Sequence, residues 1–99
     1  MNEALRLDKW LWHARFTKTR SLATRLIEER AVLLDGKPVK PAHVARVGDR
    51  VLLRFGGSDH IVEIKALGER RGPAAEARLL YEEIAVAPVV TRWESLIED

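Results

Sequence analysis

The chain has 99 residues, 46% hydrophobic and 32% charged, which reads as one globular domain over residues 1–99 rather than a disordered segment. It contains no cysteine, which excludes a disulfide framework and a thiolate metal site. No apolar run approaches membrane-spanning length and the N-terminus lacks a signal-peptide core, so no membrane contact and, by exclusion, a cytoplasmic location are expected.

Leu7, Trp10, Leu11 and Ala14 follow the i, i+3, i+4, i+7 spacing of an amphipathic helix. With Asp8 as N-cap, a first helix is predicted from about Lys9 to Arg15. Phe16–Lys18 is a short connector. Thr19 is placed to cap a second helix over about residues 20–29, with Leu22, Ala23, Leu26 and Ile27 on one face. So short a link makes a helix-turn-helix pair. Val32–Val39 reads as a strand, an Asp35-Gly36 turn of the positive-φ kind and a second short strand, which Pro38 confines to an edge. Gly48-Asp49 turns the chain into a strand in which Val51, Leu53 and Phe55 point inward. Gly56–Asp59 is a further turn, feeding a strand over Ile61–Leu67.

Gly72-Pro73 opens a predicted third helix, with Pro at the first helical position and Ala77, Leu80, Tyr81 and Ile84 as the buried stripe. Pro88 breaks the chain, and Thr91 with Glu94 is spaced as a capping box for a short helix carrying Trp93, Leu96 and Ile97. The predicted fold class is α+β: a two-helix helix-turn-helix, a small antiparallel sheet and a C-terminal helix packed back on it. Within it, residues 6–54 form the core, 55–84 a strand-and-helix extension, and 85–99 a tail.

Net charge is only +2, but it is sorted: residues 6–54 carry +7 and the remainder −5. A basic half joined to an acidic half is expected where one face meets a polyanion; the bland alternative is mixed charge solvating a surface. Arg6, Lys9 and Arg15 fall off the apolar stripe of the first helix, and Arg20 and Arg25 off that of the second. Lys18-Thr19-Arg20-Ser21 stands where the second helix begins, where free backbone N–H groups and the helix dipole favour an anion. The alternative for Thr19 and Ser21 is capping alone. Arginine predominates over lysine, and its planar fork suits phosphate oxygens and exposed bases.

Other signals carry less. His13, His43 and His60 lack metal-ligand spacing, and His13 is either a solvated residue or an RNA contact. Glu28-Glu29 and Glu82-Glu83 are adjacent and diverge in a helix, so neither makes a catalytic pair. Trp12 and Phe16, on a face away from Trp10, are either a base-stacking pair or a packing surface, the commoner use. No nucleophile elbow or phosphate-cradling loop is present. A protein without catalysis, cofactor or metal is expected.

The run Arg6–Trp12, then Phe16–Ala23, Leu26-Ile27, Val32, Asp35-Gly36 and Gly48-Asp49, resembles the RNA-binding domain named after ribosomal protein S-four. The tryptophan-rich first helix and the stretches Arg70–Ala77 and Leu79–Glu83 resemble, within that superfamily, the ribosome-associated heat-shock protein 15 family. The resemblance covers about residues 6–84. It implies a face made of the two helices and the adjacent hairpin, the alpha-L motif, that holds structured RNA. It also implies association with free large ribosomal subunits that carry a nascent chain on transfer RNA, and a part in their recovery under heat stress. By position, Arg6, Lys9, Arg15, Lys18, Thr19, Arg20, Ser21 and Arg25 would touch RNA, with Lys37 and Lys40 extending the surface.

Arg30 departs from the pattern, since it stands where the family has glycine after the second helix. It must adopt a left-handed conformation at a cost of about 1 kcal/mol or take another route. Two rivals remain at this level. One is an RNA-docking part of a modifying enzyme, because similar domains precede pseudouridine synthases; this chain ends before such a catalytic domain could begin. The other is a general nucleic-acid binder, because a helix-turn-helix also fits a DNA major groove. A monomer is expected.

Overall fold

The computed structural model describes residues 4–55 and 57–88, so the helix expected around Thr91–Glu94 lies outside them, as does the side chain of Phe55. The chain opens with β1 (Leu5–Arg6), α1 (Leu7–His13) and α2 (Arg20–Glu28). α1 starts two residues before the expected Lys9, and Asp8 does not cap it. Backbone does so instead: the Leu7 N–H donates to the His43 carbonyl at 2.9 Å and the Asp8 N–H to the Pro41 carbonyl at 3.3 Å. Those carbonyls are held in place because β1 pairs antiparallel with β3 (Val44–Ala45), Leu5 opposite Ala45. Asp8, relieved of capping, lies buried inside the first turn.

α2 forms as its sequence predicts, with Thr19 Oγ1 accepting from the Leu22 N–H at 3.0 Å. Both helices close on a left-handed arginine, Arg15 at φ 64° and Arg30 at φ 63°. The following amides reach back, Phe16 N–H to the Leu11 carbonyl and Ala31 N–H to the Leu26 carbonyl, the six-to-one bond of a Schellman stop. Arg30 therefore takes the conformation that glycine adopts freely.

β2 (Val32–Leu34), β4 (Arg50–Phe55), β5 (Ser58–Ile64) and β6 (Tyr81–Pro88) form one antiparallel sheet in the order β2-β4-β5-β6. The Asp35-Gly36 turn is real, with φ of 50° and 79° and a Leu34–Lys37 bridge. No second strand follows it. β2 pairs with β4, Val32 opposite Leu53, and Pro38 has no N–H to extend a ladder. β5 begins at Ser58, before the expected Ile61, which moves Asp59 out of a turn and into the sheet opposite Arg54. It ends at Ile64 rather than Leu67.

The third helix shrinks to α3 (Ala74–Ala77), preceded by Pro73 at the cap and followed by a 3-10 turn over Arg78–Leu80. Tyr81 and Ile84, expected on its buried stripe, belong to β6, with Tyr81 opposite Ile64. The last described element is thus a strand, not the expected C-terminal helix. Pairing covers the free edge of β5 over seven residue pairs, with a bulge at Ile61/Val62, a gain that a solvent-facing helix could not match.

Leu7, Trp10 and Leu11 of α1 meet Ala23 and Ile27 of α2 over Val32, Val51, Val62 and Ile64 of the sheet. The indole N–H of Trp10 donates to the Ala66 carbonyl at 3.0 Å, so the largest core side chain also has its polar atom satisfied. His13 is buried, with Nδ1 3.2 Å from the Leu67 carbonyl, and is neither a solvated residue nor a surface contact. Phe16 packs between Trp10 (5.9 Å between ring centroids) and Tyr81 (4.6 Å), so it does not lie on a face apart from Trp10. Trp12 instead carries the guanidinium of Arg71, 5.9 Å from its ring centre.

Candidate nucleic-acid interface

The basic residues are organised by a carboxylate. Arg6 donates to Asp8 twice, from Nε to Oδ1 at 3.1 Å and from Nη2 to Oδ2 at 2.8 Å. Arg20, at the start of α2, reaches Oδ1 at 3.4 Å, and the Thr24 hydroxyl donates to Oδ2 at 3.2 Å. Burial pushes the Asp8 carboxyl upward, but the Arg6 bonds and charge, aided by Thr24 and Arg20, outweigh it and hold the group below the usual carboxylate value. The side chain of Asp8 is 2% exposed, whereas those of Arg6 and Arg20 are 52% and 43% exposed. One buried negative charge therefore orients two half-open guanidiniums, and their outer donors remain available to an anion.

Around this centre the predicted residues sort themselves. Lys9 is half-buried beside Asp8, and Lys18, Thr19 and Ser21 are exposed next to Arg20 at the start of α2, Thr19 acting as the cap. Arg6 also belongs to an open groove lined by Ile27, Glu28, Arg30, Val39 and Lys40, which brings Lys40 to the same surface. Three of the predicted residues point elsewhere. Arg15 donates from Nε to the Gly72 carbonyl at 2.6 Å. Arg25 pairs with Glu29 one turn on, at 3.5 Å. Lys37 sits exposed at the Asp35-Gly36 turn, with no contact to the Asp8 centre among the described residues.

Sequence reasoning missed Asp8 as the organiser. Its signal was present: an arginine two residues before it, and Arg20 with Thr24 spaced i, i+4 on the partner helix. It missed Arg71 as well, whose Nη2 also lies 3.5 Å from the Thr17 carbonyl beside Trp12. Among the described residues no cluster of His, Asp or Glu could hold a metal, and no helix is long and apolar enough to cross a membrane.

Residues 5–51 match the S4 domain family model. Heat shock protein 15 of Escherichia coli K12 is 48% identical over 81 residues, which cover 82% of this chain and 61% of that protein. The RQC P-site tRNA stabilizing factor of Halalkalibacterium halodurans is 36% identical over 78 residues, 79% of this chain and 88% of that protein. The trimeric structure of heat shock protein 15 from Vibrio cholerae superposes with a TM-score of 0.80 at 38% identity, covering 96% of this chain and 95% of that one.

The chain belongs to the heat shock protein 15 family of S4-domain proteins. Membership accounts for the mixed α+β architecture. The superposition covers nearly the whole chain and so extends well past the S4 segment. The chain spans 61% of the length of the E. coli relative.

Proposed function

We propose that this chain is a non-catalytic, cytoplasmic RNA-binding protein that docks on ribosomal RNA of the large subunit carrying peptidyl-tRNA and takes part in rescue of stalled ribosomes under heat stress. The observation that carries it is the Asp8 centre: two guanidiniums from different elements, fixed by one buried carboxylate and still half open to solvent. Rigidly spaced cations suit recognition of RNA by shape and phosphate position. Lys9, Lys18, Thr19 and Ser21 extend this platform along the start of α2, and Lys40 extends it on the other side; Arg15, Arg25 and Lys37 contribute from its periphery. Residues 6–54 act as the docking unit, with residues 55–84 as its support, within a single domain. A relative named for stabilizing P-site tRNA supplies the ribosomal setting.

The test is co-sedimentation with purified large subunits, empty and peptidyl-tRNA-loaded, over a range of salt and with duplex DNA as competitor. Binding to loaded subunits should be the tighter, should fall steeply with salt, and should resist the DNA. Binding that is indifferent to salt, or that DNA displaces at equal mass, overturns the proposal. One copy per subunit is proposed, although the structure of a relative is trimeric. Mass photometry of the complex reads that ratio directly.

A further inference from the structure

We propose that the groove beside Arg6 receives a single unpaired nucleotide of the bound RNA, its base on the apolar floor, its phosphate on Arg30 and Lys40, and its identity read by Glu28 in favour of guanine. The inference rests on the RNA-binding reading above and adds a ligand to it.

The groove has the three parts such a ligand needs. Val39 and Pro41, both partly exposed, give an apolar floor against which a base plane can lie. Arg30 and Lys40 stand at the rim, and neither has an ion-pair partner among the described residues. Glu28 also lines the groove without such a partner. A carboxylate repels phosphate, so Glu28 suits the far end of a nucleotide rather than its backbone. It accepts hydrogen bonds only, through two oxygens, and the Watson–Crick edge of guanine offers two adjacent N–H donors. Adenine and uracil each present an acceptor on that edge where guanine presents a donor.

Arg30 is fixed in place by the turn that ends α2. It is held at φ 63°, a conformation that costs an arginine and not a glycine. The Schellman bonds that close α2 account for the backbone turn, and they leave the exposed Arg30 side chain on the rim of the groove. Arg6 joins the groove to the Asp8 centre, so a nucleotide extruded from RNA on the platform would have a short path to it.

The test is titration of the isotopically labelled chain with GMP, AMP, CMP, UMP and inorganic phosphate, followed by amide NMR, alongside an RNA hairpin whose paired strands are joined by a non-nucleotide linker. GMP should shift the amides around Ile27–Ala31 and Val39–Lys40 and bind several-fold tighter than AMP or UMP. Glu28→Gln should abolish that preference and leave hairpin binding at least as tight. Arg30→Gly should fold at least as stably as the parent yet bind GMP several-fold more weakly, a combination that a purely structural Arg30 does not produce. Equal shifts from inorganic phosphate alone, or GMP shifts confined to other residues, overturn the proposal. A chain that binds the hairpin but no mononucleotide refutes the groove and leaves the platform standing; one that binds neither refutes both.

Discussion

Asp8 and Arg6 are joined by two parallel hydrogen bonds, of 2.8 and 3.1 Å, between a buried carboxylate and a guanidinium half open to solvent. The pair is two residues apart across the junction of β1 and α1, so the bonds fix the angle at which the chain enters the helix as well as the direction of the arginine. Asp8→Asn removes a negative charge from a basic face, and a model based on net charge alone predicts tighter RNA binding. The geometry predicts the opposite. Asparagine keeps the shape but loses both charge-assisted bonds, costing about 2 kcal/mol of stability and releasing Arg6 and Arg20 from their spacing. Denaturant unfolding and hairpin affinity, measured together, should both decline; a stable variant with enhanced affinity would contradict the organising role of Asp8.

The same carboxyl makes stability sensitive to acid. Its folded pKa lies below the unfolded value of about 3.9, so its stabilising contribution is complete above that value. The contribution is lost as pH falls through the folded pKa, where Asp8 takes up a proton and the two guanidiniums lose their anchor. Thermal melts should therefore be flat in this respect from neutral pH to about 5 and drop below about 4. In Asp8→Asn that part of the acid limb should be shallower. An identical acid profile in both proteins would show that other carboxyls govern it.

Lys18 and Arg20 separate binding from folding. Lys18 is exposed and has no ion-pair partner among the described residues, whereas Arg20 is tied to Asp8. Lys18→Ala should leave the melting temperature unchanged and reduce the salt slope of RNA binding by about one phosphate contact. Arg20→Ala should do the same to the slope but also lower stability by about 1 kcal/mol, because it removes one donor from a buried carboxylate. Equilibrium binding at several salt concentrations reads the first effect and calorimetry the second. A Lys18→Ala slope equal to the parent's would take that residue off the platform.

What the sequence made legible was local. Thr19 with its apolar stripe specified α2, and Asp35-Gly36 specified a positive-φ turn, because each depends on neighbours a few residues away. The third helix misled for the converse reason. Ala77, Leu80, Tyr81 and Ile84 do carry helical spacing, but Tyr81–Pro88 is claimed by the open edge of β5, a partner about twenty residues distant that periodicity does not reveal. Asp8 illustrates the same limit at the site. An aspartate before an apolar stripe is a natural cap, and only the pairing of β1 with β3 brings the His43 and Pro41 carbonyls to the helix start and frees Asp8 for Arg6 and Arg20. The cationic composition was therefore readable, and its arrangement around one carboxylate was not.

Phe16 offers a final separation of packing from recognition. An exposed aromatic in the connector of a nucleic-acid-binding helix pair is a candidate for base stacking, but this ring is half-buried and packs against Trp10 and Tyr81. The contact links the end of α1 to the first residue of β6, so it ties the S4 segment to the strand that closes the sheet. Phe16→Ala should cost about 2 kcal/mol, less than a fully buried ring because Phe16 is only half-buried. RNA affinity measured well below the melting temperature should match the parent, since no platform cation touches the ring. Loss of affinity in a variant that remains fully folded would instead assign Phe16 to the RNA, and would move the binding face from the Asp8 centre toward the connector.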